Sequence, residues 1–357
     1  MPATELFFAL IRHSIGNCDF PYRPTPELWN EIFEIAKKQA LVGITFSGIE
    51  KLHSGQRPDK FTLLDWYRVT EEIKKKNKEL SKKCQDISNI FNSCGFRNCI
   101  LKGQGIAQLY PNPTLRAPGD IDIWLEGNSK DIIQYVKRYH PKEKPVYHHI
   151  NFPLKSGCKL EVHLKPSWMH NPVKNRRLQR FFNDTAGTQF TNIIETPEGS
   201  FPAPALAFNR VYILLHIYRH LFQEGIGLRQ LLDYYFVLKK GFTENEKRET
   251  IRILKSLGLM RFTASVMFIM QEIFHLDKSH MLTPPDYQRG QFLLHEIMTA
   301  GNFGMYDNRY SIVSKKNEFR HFINGMRRTL RLTRQYPEEV LWSPYFKIWH
   351  FFWRKRH

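Results

Sequence analysis

The chain has 357 residues, 42% of them hydrophobic and 24% charged, a balance that fits a globular protein and excludes a disordered one. Its formal charge of +19 implies attraction to polyanions, whether nucleotides, nucleic acid or an anionic membrane surface. There is no run of about 18 apolar residues, no basic region before the short apolar stretch Leu6 to Ile11, and no Cys-x-x-Cys among the five cysteines. A transmembrane span, a signal peptide, a disulfide framework and a structural zinc site are therefore not expected, and a reducing cytoplasm is.

Leu6 to Ile11 and Pro26 to Ala40 read as short helices, the second with Thr25 as cap, Pro26 in the first turn and Glu27 as first-turn acid. Trp66, Val69, Ile73, Leu80, Cys84, Ile87 and Phe91 recur at three- and four-residue spacing, which predicts one long amphipathic helix over 60–91, ended by Gly95. Its run Lys74-Lys75-Lys76-Asn77-Lys78 reads as a solvated face, with contact to a phosphate backbone as the alternative. Asn98 to Lys102 then reads as a strand stopping at Gly103. After a Pro-rich loop, Gly119 opens a second strand that carries Asp120 and Asp122. Strand side chains alternate faces, so both carboxylates point the same way. At about 7 Å and an effective dielectric of about 20 they repel by roughly 2 kcal/mol, which a cation between them offsets. A hard oxygen-binding ion, Mg²⁺ above all, suits that arrangement.

Further along, Ser129 to Tyr139 predicts a helix, and Val146 to Phe152 with Cys158 to Leu164 a hairpin turning at Pro153 to Gly157. Glu161 and His163 share one face of its second strand. From Ala205 the pattern becomes helical: 205–222, 228–238, 244–257 and 260–274, with Pro284-Pro285, Pro337 and Pro344 as later breaks. His216 and His220 lie one turn apart, as do Arg229 and Asp233. Three readings compete for these four: an Arg229–Asp233 salt bridge with core-edge histidines, the lining of a nucleotide or acceptor pocket, or a zinc site. From Arg320 to His357 nine Lys or Arg stand against two Glu, interleaved with aromatics. That segment reads as a packed helix, a membrane-surface element or a binder of single-stranded nucleic acid. Strands in one block between helices predict an α+β fold.

Leu101-Lys102-Gly103, then Arg116, then Gly119-Asp120-Ile121-Asp122 resembles the DNA polymerase beta-like nucleotidyltransferases, and in particular a bacterial branch described only as uncharacterised nucleotidyltransferases. The likeness spans about residues 25 to 275 and is strongest from 100 to 235. It implies a small mixed sheet with helices as catalytic core (76–200), between an N-terminal helical part (1–75) and a C-terminal helical domain (201–357). It also implies transfer of a nucleoside monophosphate from an NTP to an acceptor hydroxyl or another nucleophile, with release of pyrophosphate. Asp120, Asp122 and Glu161, matching the three carboxylates, would hold two Mg²⁺, or Mn²⁺ in their place. Lys102, Gly103, Gln104, Arg116 and Gly119 would bind the nucleotide; Gln104 stands where the superfamily more often has Ser or Gly. His163, His216, His220, Arg229 and Asp233 are the candidates for the pocket or acceptor side. The acceptor could be a small molecule, an RNA end or a protein side chain. Two alternatives remain from the residues themselves: an Asp-x-Asp glycosyltransferase using a nucleotide sugar, and a non-catalytic basic protein that binds RNA or a partner.

Overall fold

A computed structural model describes residues 1–154, 157–309 and 318–356. The turn residues Lys155 and Ser156, the side chains of Arg320 and Phe322, and His357 lie outside the described part. Three helices open the chain: α1 (Ala3–Ser14), α2 (Pro26–Lys38) and α3 (Val42–Ile49). Thr25 caps α2, its hydroxyl accepting from the Leu28 amide. The long helix α4 (Lys60–Ser93) starts where Asp59 accepts from the amides of Phe61 and Thr62, and is followed by Gly95 in the left-handed region at φ +83°.

Four strands form the main sheet, β1 (Asn98–Leu101), β2 (Ile121–Leu125), β3 (His149–Asn151) and β4 (Leu160–His163), in the order β1-β2-β4-β3. β2 runs parallel to β4, and the other two pairings are antiparallel. Strand alternation sorts the side chains. Ile121, Ile123, Leu125, Leu160 and Val162 go to one face, against Leu80, Cys84, Ile87 and Phe91 of α4 and Ile132, Ile133 and Val136 of α6 (Ser129–Tyr139). Asp122, Trp124, Glu161 and His163 are left on the other face, where Trp124 packs on Phe190 with ring centroids 4.7 Å apart. A short helix, α5 (Gly103–Ala107), links β1 to the loop before β2.

The sequence pattern assigns nothing between 165 and 204, yet α7 (Pro172–Thr191) and a hairpin of β5 (Ile193–Thr196) with β6 (Gly199–Pro202) lie there. The start of α7 was marked, by Asn171 as cap and Pro172 in the first turn. Then come α8 (Leu206–Gln223), α9 (Leu228–Lys239), α10 (Glu244–Ser256), α11 (Met260–Glu272), α12 (Tyr287–Ala300), α13 (Glu318–Arg331) and α14 (Pro337–Arg356). Pro344, expected to break the chain, sits inside α14. One missing N–H weakens the helix without ending it, because Val340 and Ser343 beside it are buried against the body. Apolar side chains of α1 to α3 and of α8 to α12 belong to a single core, and the expected boundary at 75/76 falls within α4. No helix among the described residues is long and apolar enough to cross a membrane.

Candidate active site

Parallel pairing places Asp122 of β2 directly beside Glu161 of β4, while Asp120 sits just before β2 on the same side. One carboxylate oxygen from each of the three lies within 4.8 Å of the others. The sequence therefore brought together a trio separated by about forty residues of chain. The donor set fits a hard divalent cation: all three ligands are carboxylates, and octahedral ligands about 2.1 Å from one ion stand up to about 4.2 Å apart.

Three cations hold these acids. Lys102 Nζ is 2.9 Å from Asp122 Oδ2, and His163 Nε2 donates to Asp122 Oδ1 at 2.8 Å. Lys159 pairs with Glu161 and stands 3.6 Å from Asp120 Oδ2. Burial would raise the Asp122 carboxyl, but Lys102 and His163 overcome it and hold the group below its ordinary range. Burial opposes ionisation of Glu161 too; His163, His149 and Lys159 reverse the balance and hold it well below the usual carboxylate range. Burial would lower His163, but its bonds to Asp122 and Glu161 lift it to about 9, so the ring is charged at neutral pH. His149, depressed first by burial and then by His163, falls to about 4. Lys102 adopts φ +54°, a conformation L residues rarely take, and from there its ammonium reaches Asp122. Gly103 follows at φ +38°, where a side chain would be strained although space is open.

Two of the expected nucleotide-binding residues have partners within the fold. Gln104 turns away from the acids: its side-chain amide is buried against α4, donating to Asn77 O at 3.1 Å and Ser81 Oγ at 2.9 Å. Arg116 is buried and gives two hydrogen bonds of 2.7 and 2.8 Å to the Asp233 carboxylate, which also accepts from Tyr110 at 2.7 Å. The i,i+4 salt bridge read between Arg229 and Asp233 is thus replaced by a pair 117 residues apart. Released from Asp233, Arg229 donates to the Ala117 carbonyl at 3.1 Å, and its Nε has no hydrogen-bond partner among the described residues. Burial first, and Arg116 next, bring its guanidinium down to about 10, so it remains a cation at neutral pH. Its Nη1 lies 3.9 Å from where a Gly119 Cβ would stand, which puts its charge beside the Asp-x-Asp turn. Asn77, within the lysine run, explains how the loop is held: its amide donates to the Thr114 and Arg116 carbonyls at 2.7 Å each.

The three acids, Lys102, Lys159, His149, His163, Arg116, Arg229 and Asp233 border a cavity of about 1070 Å³ that runs from the carboxylates to α14, and Gln104 does not. His216 and His220 line it with ring centroids 4.3 Å apart. Burial, with Lys102 and His220 adding to it, keeps His216 far below the usual histidine range and hence neutral. Neither ring belongs to a group of metal-competent side chains; among the described residues those groups are Asp120–Asp122–Glu161 and His149–Glu161–His163. At the far end, Arg219 donates to Glu339 at 2.6 Å and to His170 at 3.1 Å and stacks over Trp168 at 4.5 Å, while Phe346 and His350 of α14 close the wall. Lys159, His149, Trp168, Arg219 and the α14 residues escaped the sequence reading. Only Lys159, adjacent to the third-acid strand, and the His148-His149 pair carried a visible signal.

The model of a family described as uncharacterised nucleotidyltransferase matches residues 25–275. The chain belongs to this family. It is accordingly a nucleotidyltransferase, with the mixed α+β fold expected of one. A solved antigenic nucleotidyltransferase-like protein from Paracoccidioides brasiliensis is similar at 12% identity and a TM-score of 0.28, over 58% of this chain and 98% of that one. No curated protein matches. Nucleotidyl transfer is thus a matter of family.

Proposed function

We propose that this nucleotidyltransferase moves a nucleoside monophosphate from an NTP to an acceptor nucleophile, using Asp120, Asp122 and Glu161 as ligands of divalent metal, Mg²⁺ first and Mn²⁺ as the alternative. The observation that carries this reading is the convergence of three carboxylates, from two neighbouring parallel strands, on the edge of one cavity. The acceptor oxygen bonds to the α-phosphorus, the bridging P–O bond to the β-phosphate breaks, pyrophosphate leaves and the acceptor's proton passes to solvent. Ions held by the trio would neutralise charge developing on the entering and leaving oxygens. Arg229, charged and bound to no carboxylate among the described residues, would meet the triphosphate, as would Lys102 and Lys159 once released from the acids. His216 and His220 border the acceptor side.

The test is product identity. With α-radiolabelled NTPs, a divalent ion and fractionated small molecules, RNA or proteins as acceptors, label should enter the acceptor as pyrophosphate appears. Nucleoside diphosphate released from a nucleotide sugar would instead mark a glycosyltransferase and sink the proposal.

A further inference from the structure

We infer that His149, Glu161 and His163 form a second metal site, chemically distinct from the carboxylate trio, that takes Zn²⁺ or another late first-row divalent ion. Antiparallel register sets His149 of β3 opposite His163 of β4, and Glu161 lies two residues before His163 on the same face. The strands thus fix three donors around one point before any ion arrives. Glu161 Oε2 is 3.6 Å from His149 Nδ1 and 3.7 Å from His163 Nε2, and the three ligand atoms all lie within 4.8 Å of one another. Ligands of a tetrahedral ion bound at about 2.0–2.1 Å are about 3.3 Å apart, so closing the set takes shifts of tenths of an ångström along two edges. Their side chains are 18%, 12% and 4% exposed for His149, Glu161 and His163, and all three border the cavity, which leaves a position for water or substrate. Two imidazoles and one carboxylate prefer Zn²⁺, Co²⁺ or Ni²⁺, whereas the all-carboxylate trio prefers Mg²⁺.

Existing contacts give way on binding. His149 Nδ1 exchanges its 2.8 Å contact with His148 Nε2 for the ion, and His163 Nε2 gives up the proton it donates to Asp122. Glu161 belongs to both groups, so an ion here changes the charge next to the transfer centre. The inference shares Glu161 with the transfer site proposed above but does not require transfer to occur, and its readout is metal.

The experiment is titration of chelator-stripped protein with Co²⁺ in excess Mg²⁺, followed by visible d–d absorption. One Co²⁺ per chain should bind and be displaced by Zn²⁺. His149→Ala and His163→Ala should weaken it by about 100-fold or more, beyond the roughly 10–100-fold that loss of an outer partner causes. Asp120→Asn, which lies outside this ligand set, should bind Co²⁺ as before even if transfer is lost. Should either histidine variant misfold by circular dichroism, X-ray absorption of the Zn²⁺-loaded wild-type protein decides: two imidazoles in the first shell are expected. An all-oxygen shell, no Co²⁺ uptake against Mg²⁺, or unchanged uptake in a folded His149→Ala protein would each overturn the site.

Discussion

Two charged clusters border the same cavity, and they are built on opposite principles. Around Asp233 the charges are matched one to one: Arg116 gives the carboxylate two hydrogen bonds, Tyr110 a third, and arginine and aspartate are both buried. Around Asp122 three acids crowd together, held by Lys102, Lys159 and His163, with Asp120 still more than a third exposed. That matched pair serves to fix the loop before β2. Three acids crowded at the edge of a cavity keep coordination capacity, and the lysines that hold them could turn to phosphate once an ion takes their place. The comparison teaches that the crowding of like charges, three carboxylates within 4.8 Å against a single one matched to one arginine, is what sets the two clusters apart.

Substitutions at the two clusters should break in different observables. Asp120→Asn should lower metal-dependent transfer by about 10⁴-fold, roughly 5 kcal/mol of barrier, with little change in unfolding free energy; steady-state rates and denaturant titration measure both. Asp233→Ala should act mainly on the fold, since it leaves Arg116 buried and unpaired, and denaturant unfolding should show a loss of about 3–5 kcal/mol. Equal stability of the two variants would erase the distinction. Arg229→Met sharpens it, because an arginine on the framework side of the chain is assigned to the ligand. KM for NTP should rise roughly 10–100-fold, the worth of about 1.5–3 kcal/mol for hydrogen bonds to a charged group, while thermal stability holds.

The third buried cluster, Arg219 with Glu339 and His170, ties α8 to α14 and supplies a pH signature away from the acids. Burial and then Arg219 hold His170 below 6.5, and Glu339 is kept below 4.5 because His170 and Arg219 outweigh its burial. Both folded values are depressed. The stabilisation is therefore complete above about pH 6.5 and is lost on acidification, first as the unfolded histidine takes up a proton and then, below about pH 4.5, as the unfolded glutamate does. Each pH unit of separation is worth about 1.4 kcal/mol, so Tm should fall through that window, and Glu339→Gln should flatten its lower part. The smallest effect is expected at Gln104→Ala: about 1 kcal/mol of stability from its bonds to Asn77 and Ser81, with KM for NTP unchanged in the same kinetic assay.

Regular periodicity made much of this legible. The three-and-four spacing from Trp66 to Phe91 became α4, and the alternation in Asp120-Ile121-Asp122 and Glu161-Val162-His163 put the acids on one face. What stayed hidden was pairing across the fold. Arg229 and Asp233 look like partners because helical spacing is visible in a sequence, whereas the contact Asp233 makes with Arg116 depends on how a loop packs on α9. Gln104 looked available for phosphate because nothing local shows that α4 passes beside it. The basic aromatic tail offered three readings; α14 is a helix that sets Phe346 and His350 on the cavity wall and leaves Tyr345, Phe351 and Phe352 exposed.

A crystal structure with Mg²⁺ and a non-hydrolysable NTP tests the central claim most directly. The account predicts metal density between Asp120, Asp122 and Glu161, joined to the phosphates, with Arg229 on the triphosphate and Arg116 still bound to Asp233. A nucleotide seated elsewhere, with the three acids still paired to Lys102 and Lys159 and no ion among them, would contradict it.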